Sequence, residues 1–167
     1  VGAADVKQRA DASVFSRFDR IGSEETTMAS DWNQRIIDEF RANEGRVGGG
    51  FEGATMLLLH TVGRTTGRPR VNPLVYLPDG DRWVIVASKG GAPTHPDWYR
   101  NLMAHPDVEI EVGVAGEIET IPVHATEIDD DEEYEALYAR QVARRPSFGE
   151  YRTKTDRHIP VIALERR

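Results

Sequence analysis

Leu57-Leu-Leu-His-Thr-Val-Gly-Arg-Thr-Thr-Gly-Arg-Pro-Arg-Val-Asn-Pro-Leu-Val-Tyr76 is the stretch that decides the fold. Two apolar runs flank a polar tip, Gly63 to Arg70, which is the pattern of a β-hairpin. Gly67 supplies the positive φ that a short hairpin turn demands. Pro69 has no N–H and so belongs where ladder pairing has not yet begun. The tip holds Arg64, Arg68 and Arg70 with the hydroxyls of Thr65 and Thr66. Guanidinium and hydroxyl groups suit phosphate and carboxylate oxygens. The chain as a whole is acidic, at net −7, so a local arginine cluster runs against the surrounding charge. The plain alternative is a solvated turn.

From Ala54 the period changes and strands follow. Ala54–Val62 and Arg70–Leu77 form the hairpin, and Asp79-Gly80 marks a tight turn into a third, apolar strand, Arg82–Ser88. A loop, Lys89 to Pro96, leads into a short helix over Asp97–Ala104, with Pro96 at its entry. Val108–Val112 and Glu117–Ala125 are strands joined through Gly113–Gly116. Asp129–Asp131 caps a helix over Glu132–Ala143, acidic residues being favourable at a helix start. Pro146–Thr155 reads as a polar and aromatic segment, and Ile159–Leu164 as the last strand. Six strands connected mostly as hairpins predict an antiparallel sheet or small barrel, mainly β with flanking helices.

Upstream, Asp5–Gly22 reads as an amphipathic helix with Val14, Phe15, Phe18 and Ile21 on one face, followed by a polar break at Ser23–Thr27. A second helix runs from Ser30 or Asp31 to Asn43, striped by Trp32, Ile36, Ile37 and Phe40, with Gly45 after its end. Residues 1–45 are thus an N-terminal helical segment and residues 46–167 the barrel domain. Gly48-Gly-Gly-Phe-Glu-Gly53 matches G-x-G-x-x-G but follows a helix and precedes a strand, so it is a connector and not a dinucleotide fingerprint.

Composition narrows the functional classes. A chain of 167 residues, 39% hydrophobic and 29% charged, is ordinary globular material. No apolar run reaches the ~18 residues of a membrane span, and no signal-peptide pattern opens the sequence. With no cysteine there is no thiolate or disulfide chemistry, in keeping with a reducing cytoplasm. The acidic balance argues against nucleic acid as a partner. Nucleophile-elbow, H-E-x-x-H and P-loop motifs are missing. The five histidines do not fall at metal-ligand spacing, so no metal is expected. What remains is a set of loops able to surround a flat anionic ligand. The arginine tip takes its charge. Ser88-Lys89-Gly90-Gly91 lets backbone and a lysine approach the ring, and Trp98, Tyr99 and Asn101 cover it from a helix.

Four separated motifs carry a resemblance: Thr61-Val-Gly-Arg-Thr-Thr-Gly-Arg-Pro-Arg-Val-Asn-Pro-Leu74, Ala87-Ser-Lys-Gly-Gly91, Trp98-Tyr-Arg-Asn-Leu102 and Thr155-Asp-Arg-His-Ile-Pro160. In these the chain resembles the deazaflavin-dependent nitroreductase family, the F420-dependent quinone and nitroimidazole reductases of actinobacteria. The resemblance implies a split β-barrel related to flavin-binding reductases. It implies that Arg64, Thr65, Thr66 and Arg70 hold the phosphate and oligoglutamate tail of coenzyme F420. Asn72, Pro73, Leu74, Val75, Val86, Ala87, Ser88, Lys89, Asp97, Trp98, Tyr99 and Asn101 would line the deazaflavin and its ribityl chain. The reaction implied is hydride transfer from reduced F420 to a quinone, an activated enone or a nitroarene. Ser88 or Tyr151 would orient the acceptor or pass a proton. The chain departs from the family pattern in two respects. Thr65 stands where a lysine is common. Arg145 and Phe148 stand where two tyrosines would fall, which bears against nitroimidazole activation. Beside this reading stand an FMN-binding oxidoreductase on the same barrel, a non-catalytic F420 carrier, and an adaptor at a lipid or quinone surface. A monomer or small homo-oligomer is expected, in the cytoplasm, with the N-terminal helices available for peripheral membrane contact.

Overall fold

The computed structural model describes residues 30–167. The helix expected at Asp5–Gly22 and the break at Ser23–Thr27 lie outside the described residues. A helix, α1, occupies residues 30–42. Gly45 ends it in the left-handed region at φ +91°, and its N–H donates to the Phe40 carbonyl at 2.8 Å. That is the capping role expected of a glycine just past a helix. The strands are β1 (Met56–Val62), β2 (Pro69–Val75), β3 (Leu77–Asp79), β4 (Arg82–Val86), β5 (Asp107–Val114), β6 (Glu117–Glu127) and β7 (Val161–Arg166). The remaining helices are α2 (Asp97–Ala104), α3 (Asp131–Arg144) and α4 (Ser147–Thr153).

All seven strands form one antiparallel sheet in the order β2-β1-β5-β6-β7-β4-β3. The two outermost strands, β2 and β3, are separated in the chain by Tyr76 alone. Only a sheet that curls round on itself can bring its opposite edges within one residue, so the topology requires a split β-barrel. This corrects the expected count of six strands. The expected strand Arg70–Leu77 breaks at Tyr76, where the chain passes from one edge of the sheet to the other. The polar and aromatic segment Pro146–Thr155 contains the short helix α4. Seven residues are too few to show helical periodicity, and the turn is secured by tertiary contact: the Tyr138 hydroxyl donates to the Phe148 carbonyl at 2.7 Å.

Alternation explains which apolar residues sit where. On β1, Leu57 and Leu59 face the barrel interior with Ile85, Ile110, Ile121, Ile162 and Leu164. Met56 and Leu58 face outward under Ile37 and Phe40 of α1. The continuous apolar run of β1 is therefore a strand covered on both faces. β7 behaves likewise. Ile162 and Leu164 point into the barrel. Val161 and Ala163 meet Tyr134, Leu137 and Tyr138 of α3. The Asp130 side chain accepts from the Glu133 N–H at 2.8 Å and starts α3 as the acidic run predicted. Among the described residues no helix is long and apolar enough to cross a membrane.

Candidate functional site

The β1–β2 hairpin ends in a tightly bonded tip. Gly67 adopts φ +67° and donates to the Gly63 carbonyl at 2.8 Å, while the Gly63 N–H donates to the Arg68 carbonyl at 2.9 Å. A Cβ at Gly63 would collide with the Thr66 hydroxyl, which lies directly over it. That hydroxyl accepts from the Arg68 N–H at 3.3 Å, so Thr66 serves the turn. Helix α2 braces the tip from below. Asn101, only 2% exposed, accepts through Oδ1 from the Arg64 N–H at 3.1 Å and from Arg64 Nη1 at 2.9 Å. Asp97 lies 3.4 Å from Arg64 Nη2. Gly63, Arg64, Thr65, Arg70, Asp97 and Asn101 thereby line a cleft of ≈ 130 Å³. Of the three arginines expected to act together, Arg64 and Arg70 line the cleft. Arg68, exposed at the tip, is not part of its lining.

The second element is the loop after β4. Ser88 is right-handed, but Lys89, Gly90 and Gly91 follow with φ +46°, +63° and +83°. A right-handed residue followed by a left-handed one turns successive N–H groups to one side, which makes a concavity for anionic oxygens. Holding lysine there carries roughly 1 kcal/mol of strain, so something must fix it. Arg157 does. Its Nε donates to the Ala92 carbonyl at 2.9 Å, its Nη2 to Ser88 at 2.8 Å, and its Nη1 to Ala87 at 3.2 Å. In a planar trans peptide the C=O and N–H point opposite ways. Carbonyls of Ala87 and Ser88 drawn to Arg157 therefore turn the N–H groups of Ser88 and Lys89 away from it. The N–H groups of Lys89 and Gly90 have no partner among the described residues. α4 closes the other side: a Cβ on Gly91 would lie 2.9 Å from both the Tyr151 carbonyl and Lys154 Cβ.

The expected ring-lining residues divide. Asn72, Pro73, Leu74 and Val75 lie half-buried along β2, and Val86 half-buried at the end of β4. Ala87 is fully buried, and its N–H donates to the Pro160 carbonyl. Ser88 is buried with it, while the Lys89 side chain is exposed and reaches Thr94 at 3.4 Å. Trp98 is 8% exposed and packs into the barrel core, because α2 turns that face inward with Leu102. Tyr99 donates to Glu127 at 2.9 Å, and burial together with that carboxylate pushes its hydroxyl up to about 12. Its ring lies 4.8 Å from that of His95. Burial, then the positive charges of Arg157 and Arg100, hold His95 below the ordinary histidine value. Tyr151 packs against Phe148 at 5.2 Å, with its ring half-buried.

Nothing in the sequence marks Arg157 or His95 for a role. Arg157 lay inside the quoted Thr155–Pro160 motif, but nothing in spacing shows that a guanidinium will meet carbonyls some 65 to 70 positions earlier in the chain. Taken together, the cleft offers guanidinium groups for phosphate or carboxylate, and the loop offers a lysine and free N–H donors. This donor set fits a flat ligand carrying an anionic tail.

Comparison with known proteins agrees with that chemistry. The family described as F420H(2)-dependent quinone reductase matches residues 32–166. A Mycobacterium tuberculosis protein named F420H(2)-dependent quinone reductase is 42% identical over 130 residues, 77% of this chain and 85% of its own length. A solved F420-H2 dependent reductase, FDR-A, is 37% identical with a TM-score of 0.58, covering 66% of this chain and 94% of that one. A structure described as a domain-swapped dimer is 33% identical with a TM-score of 0.60, over 84% of this chain and 99% of that one. The Vibrio cholerae heme storage protein HutZ, at 18% identity and a TM-score of 0.53, shares the fold alone.

Proposed function

The chain belongs to the F420H(2)-dependent quinone reductase family, and on that premise we propose that it reduces an electron-poor acceptor of the quinone class with reduced coenzyme F420 as donor. The observation that carries this reading is the cleft of Arg64 and Arg70 braced by Asn101. When bound, the deazaflavin supplies the hydride. The chain's own residues bind and orient. Arg64, Arg70 and Thr65 hold the anionic tail. The half-buried run Asn72–Val75 and the Ser88–Gly91 loop flank the ring. Lys89 and the free N–H groups of Lys89 and Gly90 favour negative charge there. Holding donor and acceptor in contact removes about 7–11 kcal/mol of barrier in well-oriented systems. Reduction of a quinone takes one hydride and one proton. Ser88 or the Tyr151 hydroxyl passes that proton to the acceptor oxygen, or positions the water that does.

Two measurements test this. Arg64→Ala and Arg70→Ala should each weaken F420 binding at least tenfold in a fluorescence titration while the melting curve stays within a few degrees. Reduced F420, and not reduced nicotinamide, should support turnover of menadione. Unchanged affinity in both variants would remove the anion cleft from the reading, and equal rates with the two donors would remove the cofactor. The same reading puts the protein in the cytoplasm, with Trp32 of α1, 45% exposed, as the side chain that meets a membrane surface.

A further inference from the structure

A second cationic cavity lies at the other end of β2. It measures ≈ 260 Å³, and its walls include Glu52, Thr55, Val75, Gln141, Arg144 and Arg145. Two features of this wall are unexpected. Gln141 is 2% exposed, and its Oε1 has no hydrogen-bond partner among the described residues. A buried amide end without a partner is costly and rare. Arg144 and Arg145 are bonded to neutral groups: Arg144 Nη2 to Thr55 Oγ1 at 3.4 Å, and Arg145 Nη2 to the Gly50 carbonyl at 3.1 Å. Elsewhere Arg41, Arg82, Arg140 and Arg152 are paired with carboxylates. Two adjacent arginines on a chain of net −7 thus face one cavity with neutral partners, opposed in the lining by the single acid Glu52.

Val75 connects this cavity to the site already described, since it is the last residue of β2 and one of the expected ring-lining positions. Arg70, in the tail cleft, is the second residue of the same strand. At ~3.3 Å per residue the two ends of β2 are roughly 20 Å apart. The two cationic sites therefore meet different groups. The function proposed above gives the first cleft to the cofactor's anionic tail, which leaves the second, sharing Val75 with the expected ring-lining run, for a different ligand.

We propose that this cavity is the head-group site for the acceptor and selects a quinone-class compound that carries a carboxylate, which Arg144 and Arg145 hold while the Gln141 amide bonds a neighbouring hydroxyl or amide on the same molecule. The proposal rests on the function proposed above for the ring and tail site. It adds the acceptor's chemical class.

The test uses a naphthoquinone bearing a short carboxylic acid side chain, and its methyl ester. Binding of each is measured by calorimetry to the full chain without cofactor, for the parent, Arg144→Gln and Arg144→Gln/Arg145→Gln. The parent should bind the acid at least tenfold more tightly than the ester, and the double variant should lose most of that preference. Equal affinity for acid and ester in the parent overturns the proposal whatever the variants do. So does a double variant that keeps the preference. Should the double variant instead lose F420 affinity, the cavity belongs to the cofactor tail and the proposal falls. Turnover with reduced F420 is measured alongside. A clear acid preference in binding with no reduction of either compound upholds the head-group site and refutes the proposed reaction, so the two failures are told apart.

Discussion

Replacing Arg157 with alanine removes the clamp that fixes the Ser88–Gly91 loop. Three carbonyls, those of Ser88, Ala92 and Ala87, lose donors at 2.8, 2.9 and 3.2 Å. A hydrogen bond to a charged group contributes about 1.5–3 kcal/mol when its loss leaves a buried partner unsatisfied. Arg157 is only partly buried, so water replaces part of each bond, and about 1 kcal/mol apiece is the better figure. The expected cost is about 2–4 kcal/mol. For a chain of this size that lowers the melting temperature by roughly 4–16 °C. A purely structural bolt would stop there. The clamp argument requires more, because Arg157 also sets which way the Ser88 and Lys89 amides point. Hydrogen exchange at residues 88–92 should quicken, and F420 affinity should fall further than in an equally destabilised variant elsewhere in the barrel. Arg157→Lys should recover less than half of the loss, since one ammonium cannot reproduce a planar fork spread over three carbonyls. A melting curve within about 0.5 kcal/mol of the parent, with unchanged exchange at 88–92, would refute the clamp.

Three further outcomes follow from the same geometry. Asn101→Ala frees the Arg64 side chain and the hairpin tip together; F420 affinity should drop about tenfold, equivalent to ~1.4 kcal/mol, and Asn101→Asp should restore it only in part because it adds negative charge to an anion cleft. Glu111, 8% exposed on β5, accepts from Arg41 of α1 at 3.0 and 2.7 Å and lies 2.7 Å from His60 Nε2. Its bond to Arg41 holds its carboxyl below the usual range, so this contribution is complete above the unfolded value of about 4.3 and fades as pH falls through the folded one. Glu111→Gln should cost about 1–2 kcal/mol at neutral pH, seen in urea melts, and should flatten the acid limb. His95 gives a step at higher pH. It is held below the ordinary histidine value, so the unfolded chain takes up a proton near pH ~6.5 while the folded chain does not. Stability should therefore fall as pH drops through that value, and His95→Gln should remove the step; identical pH profiles for parent and variant would contradict it.

The barrel was legible because short apolar runs are separated by turns that carry Gly at Gly67 and Gly80, both left-handed in the structure. The bounds of α2 were legible to the residue because Pro96 and Asp97 mark its start. The seventh strand was not, since Leu77–Asp79 continues the same run of residues as β2 and only the sheet order reveals that it belongs to the opposite edge. Arg64 and Arg70 could be found from their crowding in an acidic chain. Arg157 could not, because apart from His95 Nδ1 at 3.1 Å its partners are main-chain carbonyls, and every residue has one. The packing of the Trp98 indole was not legible either. An aromatic at the start of a helix beside a loop has the same sequence signal whether it faces a ligand or the core, and here the helix face decided for the core.

The break at Tyr76 links the fold to both cationic sites. Thr55 staples it, donating through Oγ1 to the Tyr76 carbonyl at 2.6 Å and accepting the Tyr76 N–H at 2.9 Å on its own carbonyl. Thr55 and Val75 also line the Arg144–Arg145 cavity. A closed barrel would fill this seam with ladder hydrogen bonds between β2 and β3. Because the chain turns there instead, the two edges part, and α3 brings Gln141 and both arginines over the gap. The opening is thus a direct product of the strand order, whereas its charge is a choice of this sequence. Changing Arg144 and Arg145 should alter what enters the seam without altering the seam itself, which is why acceptor preference and barrel stability are expected to respond separately in the variants proposed above.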